Sequence, residues 1–180
     1  DVCCTSSNAV KILKSFSAEK PILFVPDCNL GSWAAQQSGK KVITWDGYCV
    51  VHQYGFSEED VLTVKSKYPD YKFLVHPECD PQIIKYADLV VSTGGMVDWV
   101  KNNDKAIIAT EIGLTEYLQH IYPEKSLIPL SPKAICKNMK KTTLENVYNA
   151  LKDNQYVISV KPNIAQKARK AINRMLELSR

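Results

Sequence analysis

Short apolar runs alternate along this chain with stretches whose apolar residues recur at helical spacing. Residues 2–4, 22–25, 42–45, 73–75, 89–91, 106–109 and 127–128 have the character of buried strands. Residues 10–16, 33–37, 58–68, 82–86, 97–101 and 115–120 predict helices, and two more, 143–152 and 163–178, close the chain. Strands alternating with helices through short loops predict an α/β fold, with short parallel sheets covered by helices on both faces. A seam is expected near 53–57, where Gly55 and a Ser57 cap open a new helix.

The pattern also repeats. DVCCTSSNAVKIL at 1–13 aligns with DLVVSTGGMVDWV at 88–100, an offset of 87, with two identities in thirteen positions but the same order of residue classes. Each stretch has an Asp, an apolar triplet, two hydroxyls, two small turn residues and an amphipathic helix. A strand after a basic residue follows in each copy, at 20–25 and 105–110, then another at 41–45 and 125–130. Both copies end at a cysteine, Cys49 and Cys136, again 87 apart. These features predict duplicated α/β units in a pseudo-symmetric arrangement, with Cys49 and Cys136 meeting at the axis. Counting 87 back from Cys49 gives position −38, which projects a further unit with its own cysteine ahead of Asp1.

Composition narrows the chemistry. With 180 residues, 45% of them hydrophobic, the chain can bury a sizeable core. The net charge of +4 arises from 23 basic and 19 acidic residues, spread evenly apart from a lysine-rich stretch at 133–141. That small excess suits an anionic small molecule as well as it suits nucleic acid and decides little; small anionic substrates are expected, with no nucleic-acid and no membrane partner. No apolar run approaches the roughly 18–20 residues needed to cross a bilayer, and a cytoplasmic location is expected. The six cysteines, at 3, 4, 28, 49, 79 and 136, form no CxxC pair, which leaves packed thiols or widely spaced metal ligands. Two thiolates alone make a poor metal site, since iron–sulfur clusters and structural zinc need three or four ligands.

Seven stretches carry a family resemblance: CTSSNAVKI (4–12), PDCNLG (26–31), WDGYCVVH (45–52), HPECDP (76–81), VSTGGM (91–96), ATEIGL (109–114) and CKNMKKTTLENV (136–147). In this order they resemble quinolinate synthase, an enzyme of NAD biosynthesis. The resemblance implies three similar three-layer α/β/α units around a 4Fe-4S cluster, with one cysteine from each unit and one iron left open for substrate. Cys49 and Cys136 take the ligand positions of the second and third units. Residues 1–53 then correspond to the second unit without its first strand, and 54–180 to the third unit with C-terminal helices. The first unit, with the third ligand, lies outside the chain, so the chain alone is expected to be inactive. The implied reaction condenses iminoaspartate with dihydroxyacetone phosphate to quinolinate. L-aspartate oxidase or aspartate dehydrogenase is then the expected supplier of iminoaspartate.

The site residues follow. By resemblance Glu78 is the acid or base for the proton transfers, with His76 orienting substrate beside Pro77. A continuous strand through 75–78 would place His76 and Glu78 on one face. Ser6, Ser92 and Thr93 lie where a strand turns into a helix, a natural seat for carboxylate or phosphate as well as ordinary caps. Cys28 and Cys79 read as packed thiols, His52 as an ordinary hydrogen-bonded histidine and His120 as surface, while Asp27, Glu111 and Lys137 read as tuning the site's charge. Rival functions are a diphthamide-synthesis-like radical enzyme, disfavoured by HPECDP beside VSTGGM, and a non-catalytic two-unit iron–sulfur binding module.

Overall fold

Strands β1 (Ile22–Phe24) and β2 (Val42–Thr44) pair in parallel, and a second parallel sheet has the order β4-β3-β5-β6. Its strands are β3 (Lys72–Val75), β4 (Leu89–Val90), β5 (Lys105–Ala109) and β6 (Ser126–Pro129). The computed structural model describes residues 1–17, 19 and 21–180. Lys20, the basic residue expected ahead of β1, lies outside the described residues. The chain divides into two compact units, residues 4–135 and residues 1–3 with 136–180.

Within residues 4–135, helices α1 (Ala9–Lys14), α2 (Cys28–Ser38), α3 (Val50–Tyr54), α4 (Glu58–Lys67), α5 (Pro81–Ile84), α6 (Thr93–Lys101) and α7 (Ile112–Ile121) connect the strands. The continuous apolar runs become the central strands. After a lysine at its start, every residue of β3 and β5 is buried, as expected for strands covered on both faces. Leu74, Ala106 and Ile108 pack with Met96, Val100, Leu118 and Leu127 in one core cluster. A second cluster joins Ala9 and Leu13 to Phe24, Leu30 and Ala34.

Helix starts lie where short polar side chains satisfy the first backbone amides. Ser57 and Asp60 form a reciprocal capping box on α4, Asp27 accepts from Leu30 N–H on α2, and Ser92 accepts from Gly95 N–H on α6. These caps start α2 at Cys28 and α6 at Thr93, earlier than the apolar periodicity at 33 and 97 suggests.

The repeat reappears as matched hydrogen bonds. The Phe24 carbonyl accepts from Trp45 N–H as that of Ile108 accepts from Leu130 N–H, and Cys28 N–H donates to Gly47 O as Ile112 N–H donates to Ala134 O. Carboxylates cap both following helices, Asp27 on α2 and Glu111 on α7. The offset, 87 at Asp1 and Asp88, is 84 at Phe24 and Ile108 and at Cys28 and Ile112, 85 at Trp45 and Leu130 and 87 again at Gly47 and Ala134, so three residues dropped ahead of β1 are regained by the loop after β2.

One expected strand is absent. Residues 2–4 have no strand geometry; the Cys3 amide donates instead to the Ala171 carbonyl at 3.3 Å. An apolar triplet is a strand only where a partner edge accepts its amides, and this amide is bonded to a helix. Helices α8 (Leu144–Asp153) and α9 (Pro162–Ser179) account for most of residues 136–180, after a 3-10 turn at Met139–Lys141. No helix among the described residues is long and apolar enough to cross a membrane.

Gly31 is required by close approach of α2 to its sheet. A Cβ there would lie 2.8 Å from Phe24 Cδ1 and 2.9 Å from Thr44 Cγ2, both packed side chains. Gly31→Ala should therefore destabilise the chain by about 1–3 kcal/mol through overpacking, despite the roughly 0.5–1 kcal/mol that alanine gains over glycine in a helix. A fall in the urea midpoint would show this, and a rise would refute it.

Candidate metal and substrate site

The parallel strands β3 and β5 end side by side, and the side chains that follow them converge at that carboxyl edge, where open α/β sheets bind ligands. After β3 the chain turns: His76 N–H still donates to Ala109 O, but Pro77 has no amide to continue the ladder, and Cys79 N–H closes the turn on His76 O. The strand does not run on to 78, so alternation along a strand is not what brings His76 and Glu78 together. The turn does so instead: Glu78 N–H donates to His76 Nδ1 at 3.3 Å, and Glu78 Oε2 lies 3.9 Å from the same nitrogen. Pro77 is fully buried in the turn.

Cys49 is the residue that opens α3, and its backbone amide donates to Asp27 Oδ2 at 2.9 Å. Because Asp27 also caps α2, one buried carboxylate ties the start of α2 to the start of α3. Burial raises the Asp27 pKa against the lowering effect of the Leu30 and Cys49 amides. His52 follows three residues after Cys49, the spacing that shares a helix face. Cys49, His52 and Glu78 offer a sulfur, a nitrogen and an oxygen that all lie within 4.8 Å of one another.

The two histidine rings stack, with centroids 4.4 Å apart. His52 Nε2 lies 2.9 Å from Thr110 Oγ1, at the end of β5. Its buried Nδ1 is 3.2 Å from Glu78 Oε2, an ion-pair distance. Burial opposes a charge on His52, but the Cys49 sulfur and the Glu78 carboxylate outweigh it and raise its pKa to about 9. His52 in turn holds the Cys49 thiol below the usual range, against the opposing effect of burial. It also holds the Glu78 carboxyl low, again against burial, with His76 adding to the effect. His76 behaves oppositely: burial, then repulsion from a charged His52, lowers it to about 4 despite Glu78. At neutral pH Glu78 is ionised and His76 is a neutral ring whose Nδ1 accepts a hydrogen bond.

Further bonds fix the surroundings. Asn29 donates to Gln53 Oε1 and to the Glu78 carbonyl, and Gln53 donates to Asp80 Oδ2, which joins α2, α3 and the 76–80 turn. Cys49 and Glu78 line a cavity of about 350 Å³ with Pro26, Asp27, Trp45 and Tyr48. Ser6 and Ser92 line another, of about 420 Å³, with Ser7, Gly94 and Gly95. Thr93 is exposed on the first turn of α6. Cys136 begins the 136–180 stretch of the other compact unit.

The remaining candidates lie as follows. Cys79 is fully buried, its thiol pKa raised by burial; Cys28 is half-buried on α2; His120 and Lys137 are exposed. His52 is the residue that sequence reasoning undervalued. Its spacing from Cys49 was the available signal, while its contact with Thr110 spans 58 residues.

An α/β protein that assembles thiol, imidazole and carboxylate donors beside an open cavity has a metal-capable site of the kind enzymes use. A Cys49 thiol held low, on the wall of a cavity, fits a metal ligand in its donor chemistry and access. Residues 1–177 match the family model described as "NadA: Quinolinate synthetase A protein", and the chain belongs to that family. It is 44% identical to a quinolinate synthase of Alkaliphilus metalliredigens and 46% identical to one of Caldicellulosiruptor saccharolyticus, each match covering 99% of this chain and 59% of the relative. The quinolinate synthase of Pyrococcus abyssi is 45% identical, over 99% of this chain and 60% of its own length. The chain thus spans about three-fifths of the length of the curated relatives it matches.

Proposed function

We propose that this chain forms part of a quinolinate synthase, a cytoplasmic enzyme of NAD biosynthesis that condenses iminoaspartate with dihydroxyacetone phosphate and releases phosphate and water. The observation that carries the reading is the convergence of Cys49, His76 and Glu78 at one sheet edge in a chain of this family. Cys49 and Cys136 would hold a 4Fe-4S cluster together with a third cysteine from the part of the protein outside this chain. In that reading residues 1–53 and 54–180 are two of three units, and the chain alone is inactive. When bound, a cluster with three thiolate ligands leaves one iron open to a substrate oxygen and assists the loss of water.

The chain's own residues supply binding and proton transfer. Ser6 and Ser92, with the exposed Thr93 hydroxyl next to them, offer donors to a carboxylate or phosphate at the start of α6. Glu78, ionised and 25% exposed, can take a proton from a substrate carbon or nitrogen. His76 orients it, because the imidazole accepts the Glu78 amide hydrogen and stays neutral. Asp27 fixes Cys49 through its backbone amide.

The complete protein, with cluster reconstituted anaerobically and given iminoaspartate and dihydroxyacetone phosphate, should form quinolinate, measured by chromatography. A cluster-loaded protein that forms none rejects the reading.

A further inference from the structure

We infer that Asn29 is a positioning residue for Glu78: the two hydrogens of its buried side-chain amide hold the turn that carries Glu78 to the helix that Cys49 opens. The inference rests on the proton-transfer role proposed for Glu78, and it gives the PDCNLG motif a use beyond the Asp27 cap.

Glu78 needs support from outside its own segment. Strand β3 ends at Val75, and the bonds from Cys79 N–H to His76 O and from Glu78 N–H to His76 Nδ1 are internal to the turn that follows. Two contacts tie that turn to β5, from His76 N–H and from the Cys79 thiol, both to Ala109 O. The bond to the Glu78 carbonyl itself comes from α2, where Asn29 Nδ2 donates to it at 3.0 Å. Helix α2 is a firm base for that bond, because Asp27 caps its start and Leu30 and Ala34 lie in a core cluster.

The second hydrogen of the same amide goes to α3. Asn29 is only 7% exposed, and its Nδ2 also donates to Gln53 Oε1 at 2.7 Å. Gln53 belongs to the first turn of α3, where its backbone amide donates to the Cys49 carbonyl at 2.9 Å. Its Nε2 reaches Asp80 Oδ2, two residues beyond Glu78. The orientation of both amides follows from their partners. A backbone carbonyl only accepts, so the Asn29 NH₂ must face Glu78. That same nitrogen meets Gln53 Oε1, which leaves the Gln53 NH₂ for the Asp80 carboxylate. Position 29 therefore calls for two donors on one short planar group: aspartate has the shape without the donors, and glutamine is one carbon longer. Placement is what a proton-transferring carboxylate depends on, since a shift of about 1 Å can cost about 10²-fold in rate.

The test is Asn29→Asp in the complete protein, with the cluster reconstituted and iminoaspartate and dihydroxyacetone phosphate supplied. Quinolinate formation should fall about 10²-fold in kcat, with KM and iron content little changed. The same substitution made together with Glu78→Gln should cause no further loss, because the carboxylate it positions is already gone. A merely structural residue would lower the rate by the same factor in both backgrounds. A second readout needs neither cluster nor substrate: in the metal-free protein the Glu78 and Cys79 amides should exchange hydrogen about 5–10-fold faster in Asn29→Asp, with those of Leu74 and Ile108 unchanged. If Asn29→Asp does not fold by circular dichroism, Asn29→Ala carries the same comparisons. An unchanged kcat, an equal loss beside Glu78→Gln, or turn amides that exchange as before overturns the inference. An unsubstituted protein that forms no quinolinate rejects the proposed reaction instead, and hydrogen exchange then decides whether Asn29 holds the turn.

Discussion

Glu78→Gln in the complete protein should lower quinolinate formation by about 10²–10⁴-fold while iron content stays unchanged. Glutamine keeps the length and shape of the side chain and can still accept a hydrogen bond, but it cannot take a proton. The site is arranged so that this property matters: His52 holds the carboxyl below its usual pKa, and its oxygens lie beside the cavity that Cys49 also lines. A neutral amide would also remove the counter-charge facing His52 Nδ1 at 3.2 Å, so the iron assay is needed alongside the rate. Iron retained with turnover lost supports proton transfer by Glu78; activity close to that of the unsubstituted enzyme rejects it.

Cys136→Ser and Cys49→Ser should each leave the complete protein unable to retain its cluster, whereas Cys28→Ser should leave iron content and the visible absorbance unchanged. The three thiols differ in their surroundings. Cys49 opens α3 on a cavity wall with a thiol held low by His52, and Cys136 occupies the matching end of the second repeat. Cys28 begins α2, with its sulfur 3.8 Å from the neighbouring Asn29 amide oxygen. Iron lost from all three variants, or from none, would count against the ligand assignment.

The parts legible beforehand are those that depend on local rules. The runs FLV at 73–75 and AIIA at 106–109 become central strands, since a short unbroken apolar run bounded by polar residues suits a strand covered on both faces. The spacing between matching segments is likewise visible in the chain, and the paired bonds from Cys28 to Gly47 and from Ile112 to Ala134 repeat it at offsets of 84 and 87. Residues 2–4 depart from the strand their apolar triplet predicts, because a strand is defined by its partner and the triplet does not name one.

The sequence by itself therefore determined the α/β class, the repeat, the family motifs and the candidate residues Cys49, His76 and Glu78, since periodicity and residue type are properties of the chain read in order. Only the tertiary structure decided what surrounds His52. Its environment is made by Thr110, 58 residues away, by Glu78 from the turn after β3 and by the stacked ring of His76. Burial and the approach of charges to an imidazole depend on which segments fold against it, and no local pattern around a histidine specifies that.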